Sequence, residues 1–476
     1  MEISIRQGRS TPFVEFLMRP APFLLAAALI PAPALAATDW HAEGKEILAK
    51  AISVPTVQER ADPRMGELTA YLKSKFEAGG ITDIKIMPYL NTQAMIVRWP
   101  AAGKAAKKPI LLLGHMDVVE AKREDWPRDP FQMEEKDGYY YGRGSTDMKN
   151  GITAITVALL RLKAEGFKPK RDIVVLFTGD EETGGKGAEL GATEWRKLTD
   201  AEFALNADAG GGAFLKDGTA LGFGLQTSEK MYQSFTFTVK NPGGHSSRPR
   251  PDNAIYELAT ALKKLESHRF TPALNETTRA YFKARATQEK GPLGDAMRRW
   301  LANENDGEAA DFIEADPTEV GSTRTRCVAT RLTGGHADNA LPQMAQATVN
   351  CRILPGVSAQ DVQTELQTTV GTGVEVAPTL SSHPSPASPL RPDVVKAYTD
   401  SIHARHPGAL IIPQMSAGAT DGLFFRSTGM PVYGVDGTWI VIPDDERAHG
   451  KDERVPIKSF NENLDHWHDM LAKLAG

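Results

Sequence analysis

The sequence predicts an α/β catalytic domain interrupted by a smaller α+β lid domain. Three observations carry this. Short continuous apolar runs alternate with helix-like segments over residues 40–225. Period-two alternation takes over after about Thr227. The α/β texture returns from Pro355 onward. At 476 residues the chain is long for one core, so two domains are the natural expectation.

The first element is an export signal. Arg6, Arg9 and Arg19 precede PFLLAAALIPAPALA, which ends in Ala34-Leu35-Ala36. That is a positive region, a short apolar core and a small-residue cleavage site. A membrane anchor needs a longer unbroken apolar run, and Pro31 and Pro33 interrupt this one. Residues 1–36 are thus expected to be removed. The mature protein is expected to be periplasmic or secreted, without membrane contact.

Asp39 to Val54 predicts an opening helix. Pro109 to Gly114 (PILLLG) and Asp172 to Thr178 (DIVVLFT) read as strands buried on both faces, with a helix over Asn150 to Leu162 between them. This alternation assigns residues 37–228 to the catalytic domain and puts function at the carboxyl ends of its strands. Gln233–Val239, Arg324–Leu332 and Ala347–Ile353 alternate with period two. Helical stretches near Asn253–Leu265 and Pro292–Asn303 lie between the first and the others. Residues 229–353 are therefore expected to form a lid with an antiparallel sheet. Residues 354–476 are expected to complete the catalytic domain. They include a Pro/Ser-rich stretch, VAPTLSSHPSPASPLRP, that reads as a surface loop.

Hydrophobic content of 41% and charged content of 24% are ordinary for a globular chain. A net charge of −5 and the lack of a basic patch argue against nucleic acid as a partner. Cys327 and Cys351 are the two cysteines. They are too few for a thiolate zinc site. On neighbouring lid strands, after export, they can form a disulfide or remain two buried thiols.

Three segments concentrate ionisable residues beside apolar runs: HMDVV (115–119), GRGSTDMKNG (142–151) and TGDEETGG (178–185). Burying unpaired charge is costly, and a pair of divalent metals explains the three together. His115 and Asp117 fall on one side of a strand end, where one can ligate a metal and the other can hold its ring from behind. Asp147 can bridge two metals, or cap the following helix with help from Ser145 or Thr146. Glu181 and Glu182 are adjacent and should point apart. That suits one as ligand and the other as base. Asp208 follows the strand-like FALNAD and opens a glycine cluster. His449 lies in AHGKDER and supplies a late nitrogen donor.

Taken together, the chain resembles the di-zinc peptidase family of glutamate carboxypeptidase, carnosine-type dipeptidases, acetylornithine deacetylase, succinyl-diaminopimelate desuccinylase and aminoacylase. HMDVV, GRGSTDMKNG, GDEETGG, NADAG, GGHSSRP, NALP, NCRILPG, GATDG and His449 occur in family order. The resemblance implies a zinc-peptidase-like catalytic domain with a mixed central sheet. It implies two divalent ions, zinc above cobalt or manganese. One is held by His115, Asp147 and Asp208, the other by Glu182, Asp147 and His449. Glu181 is then general base and later general acid, and Asp117 orients His115. His245 of the lid stabilises the oxyanion, Asn339 and Arg352 hold substrate, and Gly418 and Thr420 belong to a substrate-side loop. The bond between Asp147 and Met148 is implied to be cis. An extra segment near Phe270–Ser322 lengthens the lid, and a homodimer through the lid is one consequence.

The implied activity is that of a carboxypeptidase or dipeptidase on short peptides. The close alternative is an aminoacylase-like hydrolase of N-acyl amino acids. An inactive homologue serving as a binding module is the alternative of another class. Retention of Glu181 and all the ligands argues against it.

Overall fold

The computed structural model describes residues 8–15, 38–379 and 383–476. Most of the expected signal segment lies outside these residues. Residues 8–15 form neither helix nor strand. No helix among the described residues is long and apolar enough to cross a membrane.

Strands Ile110–His115 and Ile173–Thr178 are buried at every position. Their side chains divide between two cores. Ile110 and Leu112 pack with helices Trp40–Ser53, Lys149–Ala164 and Ile457–Ala475. Leu111 and Leu113 pack on the other face with Ala188, Phe424 and Phe425. A continuous apolar run is what such a two-sided position requires. The opening helix, Trp40–Ser53, is capped by Asp39, whose side chain accepts from His41 N and Ala42 N.

These strands lie within an eight-stranded sheet. Its spatial order is Asp83–Tyr89, Thr92–Trp99, Ile173–Thr178, Ile110–His115, Phe203–Phe214, Val432–Val441, Ala220–Glu229 and Ile411–Ser416. Ile110–His115 runs parallel to both neighbours, whereas Thr92–Trp99 is antiparallel to Ile173–Thr178. The sheet is therefore mixed. Its parallel strands deliver their carboxyl ends to one edge of the layer.

A second sheet has four strands, ordered Arg326–Gly334, Met344–Ile353, Met231–Lys240 and Glu375–Pro378. Ala345, Ala347, Val349, Cys351 and Ile353 face inward along one strand, the period-two pattern seen in the sequence. Helices Ala254–Ser267 and Ala359–Val370 cover that face. Cys327 sits directly opposite Cys351, and the two form a disulfide.

The small sheet reaches past residue 354, where the sequence suggested a return to the large domain. Helix Ala359–Val370 buries Val362, Leu366 and Val370 in the lid core, and Glu375–Pro378 pairs with Met231–Lys240. The start of the Pro/Ser-rich stretch is thus an edge strand. Its later part is not all surface either. Ser388 is buried and donates to Val432 O at 2.8 Å. The inserted segment forms helices Glu276–Gln288, Pro292–Ala302 and Gly307–Ala315 around Phe282, Met297, Trp300 and Ile313. Its first helix packs on Ile411–Ser416, so the insertion covers the edge strand of the large sheet.

Candidate active site

His115 ends its strand and is 1% exposed. Nδ1 donates to Asp117 O at 3.0 Å, which fixes the ring. Nε2 faces Asp147 Oδ1 at 3.2 Å, Asp208 Oδ1 at 3.6 Å and Glu181 Oε2 at 4.0 Å. His449 Nε2 lies 3.0 Å from Asp147 Oδ2 and from Glu182 Oε2. Asp147 thus offers one oxygen to each imidazole. The donor atoms of His115, Asp147 and Glu182 lie within 4.8 Å of one another, as do those of His115, Glu181 and Asp208.

The strands explain the convergence. His115 ends one of two neighbouring parallel strands, and the Glu181–Thr183 turn follows the other. Asp208 lies inside strand Phe203–Phe214, not at its end as FALNAD suggested. Gly210 and Gly211 let the strand continue. Both have positive φ, and a Cβ at Gly210 would stand 2.8 Å from Asp436 N. Glu181 and Glu182 point apart, toward His115 and His449 respectively.

Two details differ from the sequence reading. The Asp117 carboxylate accepts from Glu181 N and Glu182 N at 3.2 and 3.1 Å, and stands 3.5 Å from His115 Nδ1. Its backbone carbonyl holds the ring, while its side chain holds the acidic turn. Neither Ser145 nor Thr146 caps the next helix. Met148 occupies the cap position without a side-chain bond, and Thr146 Oγ1 donates to Glu453. The Asp147–Met148 bond is cis.

Electrostatics mark the cluster. Burial pushes the His115 imidazole down, but Asp208, Asp117 and Asp147 outweigh it and hold the imidazole well above its ordinary pKa. Burial opposes ionisation of Asp147, yet His115 and His449 hold it below the carboxylate range. Burial pushes Asp208 up to about 6. Burial, then the Asp208 charge, raises Glu181 well above its ordinary value. Hydrogen bonds with Asp147 and Glu182 raise His449 to about 10. Carboxyls outnumber imidazoles here, and the buried Nε2 of His115 has no hydrogen-bond partner. Such a nitrogen-and-carboxylate set fits divalent cations.

The cluster lies in a cleft of about 380 Å³ whose far wall is Ser416–Thr420. Gly418 lines it. Thr420 also lines it, but its hydroxyl is committed. It donates to Glu229 Oε2 and accepts from Asn206 Nδ2, both at 3.1 Å. Thr420 therefore holds the loop in place. Glu229 is buried against Arg426, with Oε1 2.6 Å from Nη1.

The lid residues are not gathered with the cluster. His245 is exposed on the short strand Gly244–His245, and Nδ1 bonds to Ser247 Oγ at 2.8 Å. Asn339 lies beside it, its carbonyl accepting from Ser246 N at 3.0 Å. Neither touches the cluster among the described residues. Arg352 reaches the cleft wall, where Nη1 donates to Ala417 O at 3.2 Å. Its guanidinium stacks 4.8 Å from the Tyr232 ring centroid and pairs with no carboxylate among the described residues.

Sequence reasoning missed Arg143, Glu229, Arg426 and Glu453. Arg143 and Glu453 stand inside GRGSTD and AHGKDER, so their charge within a loop motif was a usable signal. Glu229 and Arg426 carried none.

A model of peptidase family M20/M25/M40 matches residues 111–473. The N-fatty-acyl-amino acid synthase/hydrolase PM20D1 of Xenopus tropicalis is 31% identical over 359 residues, 73% of this chain and 69% of that protein. The probable carboxypeptidase S-like 2 of Dictyostelium discoideum is 27% identical over 448 residues, 89% of this chain and 83% of that one. Among solved structures, the M20 family metallo-carboxypeptidase Sso-CP2 from Sulfolobus solfataricus has a TM-score of 0.65 at 18% identity. The match covers 90% of this chain and 99% of that one, a likeness of fold.

Proposed function

This chain belongs to peptidase family M20/M25/M40, and from that premise we propose that it is a two-metal carboxypeptidase or dipeptidase of short peptides. The observation that carries the reading is the placement of Asp147, with one oxygen toward His115 and the other toward His449. His115, Asp147 and Asp208 would hold one ion; Glu182, Asp147 and His449 would hold the other. When bound, the ions, zinc in this reading with cobalt or manganese as alternatives, would supply the acidity of a water and the polarisation of a carbonyl.

Glu181 is left as the base. It is the farthest of the three carboxylates facing His115, which suits a group that is not itself a ligand. Its carboxylate takes the proton of the attacking water and returns it to the leaving nitrogen. Arg352 grips the free carboxylate of the leaving residue through its planar fork. His245 and Asn339 join when the lid closes, or come from the lid of a second copy. The exposed Val328 and Leu332 on edge strand Arg326–Gly334 favour a lid-to-lid homodimer.

A second reading rests on the 31% relative named as an N-fatty-acyl-amino acid synthase/hydrolase. The same residues would cleave an N-acyl amino acid, with an acyl chain in place of the N-terminal residue. A hydrolysis screen separates the two: dipeptides and N-acyl amino acids with the same C-terminal residue, assayed with zinc and with cobalt. Cleavage of dipeptides alone supports the first reading, and cleavage of N-acyl amino acids alone replaces it. No cleavage of either leaves the binding-module alternative.

Export to the periplasm or medium is part of the proposal. The Arg-flanked apolar segment ending at Ala36 supports it, and so does the Cys327–Cys351 disulfide. Cell fractionation with N-terminal sequencing tests it. A cytoplasmic protein retaining residues 1–36 contradicts it.

A further inference from the structure

We propose that Glu453 is a positioning residue for the metal centre, a single buried carboxylate that clamps the segment carrying Asp147 to the segment carrying His449. The inference rests on the two-metal reading above. Glu453 is fully buried. Oε1 accepts from Thr146 N at 2.8 Å, Thr146 Oγ1 at 2.9 Å and Asp147 N at 3.0 Å. Gly144 N lies 3.1 Å from both oxygens. Oε2 accepts from Arg143 Nη1 at 2.7 Å, and Arg143 Nη2 donates to His449 O at 3.3 Å. One ion pair thus holds both loops. The Arg143 guanidinium is in turn stacked 5.2 Å from the Trp126 ring centroid.

The logic is that of support behind a ligand. Asp147 must present one oxygen to each half of the site, so its backbone position fixes both halves. That backbone is set by its own N–H to Glu453 and by the neighbouring N–H groups on the same carboxylate. His449 lies within the same short loop as Glu453, and both His449 and Asp452 have positive φ. The loop therefore folds back on itself to bring His449 over the cleft and Glu453 beneath it. Without the carboxylate, the Gly144, Thr146 and Asp147 donors lose their shared acceptor, and Arg143 keeps an unpaired buried charge. Groups behind metal ligands typically contribute roughly 10–100-fold in metal affinity.

The test titrates the metal-stripped full chain with zinc by calorimetry, for the wild type and Glu453→Gln, with metal-free thermal melting alongside. The glutamine keeps the size and removes the charge. The expected result is a folded variant whose affinity for at least one zinc ion is roughly 10–100-fold weaker than in the wild type. A clamp that serves folding alone would lower the metal-free melting temperature and leave zinc affinity unchanged. A folded Glu453→Gln with wild-type affinity for both ions therefore overturns the proposal. If Glu453→Gln does not fold, Thr146→Val removes only the hydroxyl bond. A few-fold weakening there supports the clamp, and wild-type affinity overturns it. A wild type that binds fewer than two zinc ions refutes the two-metal reading instead.

Discussion

His115 and His245 show how differently the large sheet and the lid hold an imidazole. His115 is 1% exposed, tied through Nδ1 to the Asp117 carbonyl, with Nε2 among carboxylates. His245 is exposed and bonded to its near neighbour Ser247, and among the described residues it makes no contact with those carboxylates. The large domain delivers its groups already assembled: His115 and the Glu181–Glu182 turn at the ends of parallel strands locked by two cores, Asp208 inside a third strand, and Asp147 and His449 on loops. The lid carries His245 on a two-residue strand, Asn339 in the turn beside it and Arg352 on an inner strand of the four-stranded sheet. In the proposed function His245 and Asn339 reach the cluster by a movement or from a second copy. Metal binding and chemistry should therefore respond separately to changes in the two regions.

The largest effect is expected from Asp147→Ala. It removes the carboxylate that faces both imidazoles, so activity should fall to background and elemental analysis should show metal loss. A variant that retains two ions would show that the large sheet does not depend on this bridge. His245→Ala should behave differently. Metal content should match the wild type while kcat falls roughly 10²–10³-fold, the range for losing one oxyanion donor. Mixing it with Glu181→Gln sharpens the comparison. Recovered activity assigns His245 to the partner's site, and none assigns it to its own chain.

Arg352→Ala should cost less. Charge-assisted bonds of about 1.5–3 kcal/mol correspond to roughly 10–100-fold in kcat/KM on free-acid substrates. Amidated peptides should be poor substrates for the wild type and change little in the variant. Equal cleavage of amidated and free-acid forms by the wild type removes the carboxylate role.

A last effect, on stability rather than on activity, concerns the large domain. Burial holds the His466 imidazole down, at about 4, and Nε2 bonds to Val435 O at 2.8 Å. The native state thus keeps it neutral while the unfolded chain takes a proton near pH 6.5. The stabilisation is fully present above that value and is lost as pH falls toward about 4, amounting to about 3 kcal/mol. Urea unfolding between pH 7 and pH 4.5 should show this slope, and His466→Asn should flatten it. An unchanged slope in the variant contradicts the assignment.

The legible part of the site was the part written in contiguous motifs. HMDVV, GRGSTD and GDEETGG each place a candidate ligand at a strand end or tight turn, so local sequence and fold agree. Strands Ile110–His115 and Ile173–Thr178 were legible for a related reason: burial on both faces leaves a continuous apolar run. The lid's end was not legible. Ala359–Val370 and Glu375–Pro378 look like any helix and short strand, and only pairing with Met231–Lys240 assigns them to the small sheet. Asp117 and Thr420 were recognised as site residues, but their roles depended on partners far along the chain. A carboxylate can hold an imidazole or a pair of backbone amides, and sequence spacing does not choose between them. Glu229, paired with Arg426, was invisible because a buried ion pair is two ordinary charges until the fold joins them.

The central claim is that Glu181 moves the proton while its neighbours hold the ions. Glu181→Gln, loaded with zinc and assayed on a dipeptide or N-acyl amino acid that the wild type cleaves, tests this most directly. The account predicts two ions per chain by elemental analysis and a turnover at least ~10²-fold below the wild type, the lower end for a general base. Near-wild-type turnover, or loss of an ion from the variant, would contradict it.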